Sequence, residues 1–182
     1  MILNNKSQMF AIYFGNDYFY PEIHEKYSPI INRMKLPYLT IEDFMNSCIQ
    51  DVNIPGISID NAQQQLGQYS IEYTSGKELD AILNKDIKIN FKLTETYLTY
   101  WILYDQIELY LKYGKNRKNV YWDPINITFL TDQGLELLTM EYREITPINL
   151  SDLSLTYKST LTQFNTISLD LHYNYIKRFA CE

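Results

Sequence analysis

From Thr166 to Tyr175 the chain alternates almost without error. Ile167, Leu169, Leu171, Tyr173 and Tyr175 fall on one side, and Thr166, Ser168, Asp170, His172 and Asn174 on the other. A period of two is the mark of a strand with one buried face. "DIKINFKL" repeats it, with Ile87, Ile89, Phe91 and Leu93 set against Lys88, Asn90 and Lys92. Ile125, Ile127 and Phe129 alternate, Asp132-Gln133-Gly134 turns, and Leu135 to Ile145 returns, which predicts a hairpin. "DLSLTY" and "TISLDLHYNY" predict a second hairpin across Lys158 to Phe164. Further upstream, "IEDFMNSCIQDVNIPGIS" predicts a strand from Ile41 that stops at Pro55-Gly56, because proline cannot donate to a ladder. Ile57 with Ile59, and Ile71 with Tyr73, predict two more strand pieces. The polar run Asn61 to Gln68 between them reads as an exposed excursion.

One segment has helical character, "TETYLTYWILYDQIELYLKYGK". Thr94 or Thr96 can cap its first turn, Glu95 suits the positive end of its dipole, and Gly114 sits where a helix stops. Leu98, Trp101, Ile102 and Leu109 form one apolar stripe, while Tyr97, Tyr100, Tyr104, Ile107 and Leu111 occupy much of the remaining circumference. A helix lying on a sheet needs a stripe only about 100° wide. Apolar cover beyond that implies burial on two sides, by another subunit or by a thick core of the same chain. Residues 1–40 mix Pro21, Pro29 and Pro37 with aromatics and show no clean period. They read as an N-terminal arm with one short strand or helix, followed by one domain over 41–182. The fold class is mainly β (α+β): two packed antiparallel sheets of six or seven strands, as a sandwich or partly closed β-barrel, flanked by one helix.

Composition changes this picture only in places. At 182 residues and 46% apolar, the chain supports a proper core. Its 17 tyrosines suit half-buried strands and protein contacts. The net charge of −6 argues against an adhesive surface for phosphate. Two cysteines, Cys48 and Cys181, make no disulfide framework. The first twenty residues lack the features of a signal peptide, and "YLTYWILY" is too short and too rich in tyrosine to span a bilayer, so a soluble intracellular product is expected.

A search for chemistry returns little. His24 and His172 are the only histidines, and no HxxxH or CxxC spacing supplies a metal site. Glu42, Asp43, Asp51, Glu141 and Glu144 are carboxylates without a pocket-forming context. No GxSxG, Walker A or GxGxxG motif occurs. Lys112, Lys115, Arg117 and Lys118 form a basic cluster that reads as a solvated loop or a contact to an acidic neighbour. No catalytic residue, metal or cofactor is expected.

The order of elements does carry a resemblance. "NIPGI", "DIKINFKL", "YLTYWILYDQIELYL", "ITFLTDQGLELLTMEYREITPINLSDLSLTYKS" and "TISLDLHYNY", spanning Phe44 to Tyr175, resemble the tail tube proteins of tailed bacteriophages and their relatives in baseplate tube initiators and secretion-system tubes. The resemblance implies a virion tail protein in homohexameric rings that stack into a tube, through which DNA passes without specific binding. Tail sheath, baseplate and tape-measure proteins would be its partners. It places Asp60, Asn61, Gln63, Gln64, Gln65, Leu66, Lys77 and Glu78 at the contact between rings. Tyr97, Tyr100, Tyr104, Ile107 and Leu111 would cover the helix against a neighbouring subunit, and Asp86, Glu141 and Asp170 are the lumen candidates. A tube-initiating or capping protein of the same fold is the nearest alternative, to which the extra forty residues point. A monomeric carbohydrate- or peptide-binding β-sandwich is the alternative from another class. Deleting Asn61–Gly67 should leave rings but no tubes by negative-stain imaging; unchanged tubes would refute the stacking assignment.

Overall fold

The computed structural model describes residues 10–15, 18–56, 61–66, 69–74, 85–94, 96–113, 121–131, 133–153 and 166–180. In chain order the first elements are β1 (Phe10–Phe14), α1 (Pro21–Arg33), α2 (Ile41–Cys48), β2 (Ile49–Asn53), β3 (Asn61–Leu66) and β4 (Tyr69–Thr74). Then follow β5 (Asp86–Lys92), α3 (Leu98–Tyr113), β6 (Ile125–Leu130), β7 (Glu136–Arg143), β8 (Thr146–Leu150), β9 (Thr166–His172) and β10 (Tyr175–Ala180). Two four-stranded sheets result, ordered β1-β6-β7-β10 and β2-β5-β9-β8, with β3 and β4 as a separate two-stranded sheet. Every pairing is antiparallel. Of the two arrangements the alternation left open, a sandwich and a partly closed barrel, the described residues form the sandwich, and their sheets do not close on each other.

Register explains the core. In the second sheet, Ile87 pairs with Leu171, Ile89 with Leu169 and Phe91 with Ile167, so each row puts two apolar side chains on one face. All six are buried. In the first sheet, Phe14, Ile125 and Tyr142 form a facing row with Ile176, and Ile12 and Ile127 the next. Phe14 and Phe91 stack across the two sheets at 6.2 Å, and Tyr142 meets Tyr173 edge-on at 4.9 Å.

Among the described residues three helices are present, where one flanking helix was expected. The strand expected from Ile41 is helix α2 as far as Cys48, and only then β2. Ile41, Phe44, Met45 and Cys48 recur at i, i+3, i+4 and i+7, a helical period, and all are buried. Thr40 Oγ1 accepts the Asp43 N–H at 3.1 Å, which caps the first turn. Residues 10–33 supply strand β1, paired with β6, and helix α1, whose Ile23, Tyr27 and Ile31 are buried. Pro21 opens that helix at the position where a missing N–H costs nothing. The side chain of Gln106, 1% exposed, ties this segment to α3. Its Oε1 accepts the Tyr20 N–H at 3.1 Å, and its Nε2 donates to the Tyr18 carbonyl at 3.1 Å. On the outer side, Tyr27 Oη donates to Asp105 at 2.6 Å, and Lys26 pairs with the same carboxylate.

The last alternating run is divided. β9 ends at His172 in the second sheet, and β10 joins β7 in the first. The crossing at Asn174 is held by its N–H on the Arg143 carbonyl at 3.2 Å and its Nδ2 on Glu144 at 2.8 Å. Ile167, Leu169, Leu171 and Tyr173 are therefore buried as expected, whereas Tyr175, beyond the crossing, is 41% exposed. Among the described residues β8, residues 146–150, pairs with β9; of "DLSLTY", residues 154–157 lie outside the described residues, as do 158–165 between the two arms of the expected hairpin. The run from Asn61, read as an excursion, is strand β3 of a hairpin with β4.

Replacing Gln106 with leucine preserves volume but strands a buried N–H and a buried carbonyl. Gln106→Leu should lower unfolding stability by about 3 kcal/mol, measured as a shift in urea midpoint at constant slope.

Candidate subunit interface

Helix α3 has two working faces. Its start is set by Thr94, whose Oγ1 accepts the Leu98 N–H at 3.1 Å, and by Tyr97, held at φ 54°. Leu98, Thr99, Ile102, Leu103 and Gln106 face the core. Thr99 is accommodated there because its hydroxyl can donate to the Lys92 carbonyl, 3.4 Å away. On the opposite side Tyr100, Tyr104, Ile107 and Leu111 recur at spacings of four, three and four, forming a second stripe along the helix. Trp101, read in one stripe with Leu98, Ile102 and Leu109, lies beside this outer one at 46% exposure, and Leu103 joins Leu98 and Ile102 on the inner face. Tyr104 is also 46% exposed and Leu111 66%. Tyr100, Trp101 and Tyr104 pack on one another with ring centroids 5.3 to 6.1 Å apart. A preorganised apolar face of this kind loses little side-chain entropy on contact.

This stripe forms one wall of a groove of about 380 Å³, whose other wall is Pro147 to Leu150. That wall is β8, the edge strand of the second sheet. A bulge between Pro147 and Asn149 turns Ile148 outward, 54% exposed. At the other edge of the sandwich, β1 and β2 are the outermost strands of their sheets and flank a cleft of about 610 Å³. Phe10, Ile12, Asn46 and Ile49 line it, with Tyr13 at 48% exposure. The two edges of the molecule therefore carry different surfaces.

The outer face of the second sheet is polar at each registered position. Asp51 lies beside Asn90 and Ser168; Asn53 beside Lys88, Asp170 and Asn149; Asp86 beside His172 and Thr146. Its carboxylates are partnered: Asn90 Nδ2 donates to Asp51 at 2.5 Å, Lys88 Nζ lies 3.7 Å from Asp170, and His172 Nδ1 is 2.9 Å from Asp86. The first sheet's outer face is mixed, with Tyr13, Tyr175 and Phe179 among polar neighbours.

These positions locate the residues singled out from the sequence. Asp86 and Asp170 share the polar face in adjacent rows, while Glu141 belongs to the other sheet, where Arg143 Nη2 donates to it at 2.9 Å. Asn61, Gln63, Gln64, Gln65 and Leu66 are in β3; Asp60, Lys77 and Glu78 lie outside the described residues. So do Lys115, Arg117 and Lys118 of the basic cluster. The bulged β8 edge and the β1–β2 cleft were not singled out in the sequence, because both depend on which strands become outermost.

Catalytic candidates are dispersed. His24 faces the buried Glu42 at 3.1 Å, linking α1 and α2. Burial pushes the Cys48 thiol above its ordinary pKa, against smaller opposing effects of Thr99, Ser47 and Lys92. Among the described residues, no three His, Cys, Asp or Glu side chains converge to hold a metal ion. No helix among them is long and apolar enough to cross a membrane.

No family model matches the chain, and no curated protein does. Solved structures do. The chain is similar over 99% of its length to 98% of a chain from the anti-feeding prophage baseplate, solved with six-fold symmetry, at a TM-score of 0.53 and 11% identity. It is similar over its full length to 95% of a chain from the sheath–tube complex of an extracellular contractile injection system, PVC, at a TM-score of 0.52 and 14% identity. The chain has a tail-tube-like fold. At these identities the likeness concerns backbone architecture, and it includes residues 10–33, since coverage is nearly complete in both directions.

A raised thiol pKa means little thiolate at neutral pH. In a Cys181→Ser background, Cys48 should react with a thiol reagent at pH 7 at least a hundredfold more slowly than free cysteine, with full reactivity on unfolding in urea.

Proposed function

We propose that the chain is a non-catalytic structural subunit of a tube-like conduit, built from identical copies in a ring around a channel. The observation that carries this reading is the half-covered Tyr100–Leu111 stripe, with Tyr104 and Leu111 open to solvent, beside edge strand β8 and opposite an unlike edge at β1 and β2. A contact between two different surfaces of the same molecule is heterologous and closes into a ring when its rotation permits. Open sheet edges are an aggregation hazard that such closure removes. Six copies is the number carried over from the six-fold baseplate assembly of similar fold.

The outer face of β2-β5-β9-β8 is the wall we assign to the channel. A water-filled lumen requires a polar surface, and a chain threading through it requires one that does not bind tightly. Three aspartates and two lysines on this face, with each aspartate already partnered, meet that condition. DNA is the cargo we propose, with Asp86 and Asp170 facing it; Glu141, on the other sheet, would face outward. The particle is a phage-type tail or a related contractile apparatus, where sheath and baseplate proteins are the neighbours. A position at the tube's end is the second reading, favoured by the similarity to a baseplate chain.

Tyr104→Glu with Leu111→Glu should abolish ring-sized particles in sedimentation and negative stain. Leu111 is largely and Tyr104 about half exposed, so the monomer should unfold within about 1 kcal/mol of the parent. Rings that persist in this variant would refute the interface. For the parent protein, tubes that grow with concentration would place it in the tube body, and arrest at a single ring would place it at the end.

A further inference from the structure

The turn that ends helix α1 helps to build a third surface. The Met34 N–H donates to the Ile30 carbonyl at 3.0 Å, and Lys35, at φ 53°, reverses the chain. The Leu36 N–H then closes the turn on the Ile31 carbonyl at 3.4 Å. In the run that follows, Tyr38 meets Phe44 of α2 edge-on at 5.6 Å. Leu36, Tyr38, Phe44, Leu93 and Leu98 line an apolar pocket of about 390 Å³, with Met34 and the Cys48 thiol in its wall. It shares no lining residue with the α3–β8 groove or the β1–β2 cleft, so it is distinct from both edges assigned to self-association.

Two observations say what fits it. The first is that the apolar surface continues past the concavity. Leu39, next to Tyr38 and outside the lining, is 95% exposed, and Met34 at the wall is 36% exposed. A small ligand confined to the pocket would leave Leu39 bare, whereas a polypeptide seating one bulky side chain covers the neighbours too. The second is charge. Among the described residues, the charged side chains on or next to lining positions are Arg33, Lys35 and Lys92, against Asp43, all exposed. The field of Lys92 reaches the Cys48 thiol. A local excess of base on a chain of net charge −6 selects an acidic partner. An apolar hollow between those bases has no counterpart on a phosphate backbone.

We infer that the Leu36–Tyr38–Phe44–Leu93 pocket docks an acidic segment of a partner protein other than this chain, anchored by one bulky apolar side chain. The anchor fills the hollow, Met34 and Leu39 pack on its flanks, and Arg33, Lys35 and Lys92 face the flanking carboxylates. The bases set the sign of the partner and speed its arrival, while the pocket sets how long it stays. The site stands apart from the ring contact, and the α1–α2 connection acquires a role as its receiving wall.

The test uses the full chain and a short fluorescein-labelled peptide carrying one phenylalanine and one leucine among glutamates, followed by anisotropy. Saturable binding is expected, weakening as salt rises. Leu39→Ser should weaken it about tenfold, and Lys35→Glu with Lys92→Glu about tenfold as well. All three positions are exposed, so unchanged urea midpoints should show the fold intact. Equal binding of a second peptide with lysine for each glutamate, or binding indifferent to Leu39→Ser, would overturn the site. Loss of the protein's own particles in Leu39→Ser would make a second copy the occupant, and displacement of the peptide by phosphatidylglycerol vesicles would make the surface a membrane contact; either result overturns the proposal. The Tyr104→Glu, Leu111→Glu variant should bind the peptide as the parent does, so the conduit reading and this site fail separately.

Discussion

Everything in this molecule follows from the need to cover one-faced sheets. Rows such as Ile89–Leu169 and Ile125–Tyr142 place apolar side chains on a single side, and the only stable arrangement buries those sides against each other. The cross-sheet contacts Phe14–Phe91 and Tyr142–Tyr173 are where that requirement is met. Once the two inner faces are joined, the polar positions of β5 and β9 have nowhere to go but outward, and the strands left outermost become edges. The polar wall, the bulged β8 edge and the β1–β2 cleft are consequences of the same packing.

Helix α3 is the element in which core demands and surface demands coexist. Its inner side meets the sandwich through Leu98, Ile102 and Leu103 and anchors the N-terminal segment through Gln106. A buried amide with both functions satisfied can specify one docking position, since any shift would strand its partners. Its outer side repeats apolar groups at helical spacing with only half-cover. The overall likeness to chains of a baseplate and of a sheath–tube complex, at 11% and 14% identity, fits a fold whose backbone logic tolerates wide change in side chains.

Legibility varied with the range of the interactions. The strands β5, β6 and β9 were readable because period-two alternation is local and their neighbours merely agree with it. The outer stripe of α3 was readable for the same reason, as excess apolar cover on a helix. The region 41–48 was misread: its Ile41, Phe44, Met45 and Cys48 have helical spacing, but the following strand and Pro55-Gly56 turn drew the whole segment into one extended reading. The N-terminal forty residues gave no clean period because aromatics such as Tyr18 and Phe19 are buried from an irregular connection. Among the lumen candidates, Asp86 and Asp170 came together and Glu141 did not, since sheet membership is a property of pairing and not of alternation.

By itself, the order of polar and apolar residues determined that this protein packs two-faced antiparallel sheets, as a sandwich or a partly closed barrel, beside an over-covered helix, because side-chain direction along a strand or helix repeats with a fixed local period. Tertiary structure alone decided that the final run breaks at Asn174 to serve both sheets, that β8 flanks β9 as an edge strand, and that β1 and β2 stand together at the other edge. Those features depend on partners distant in sequence, whose choice is settled by the simultaneous burial of every apolar face rather than by any one stretch of chain.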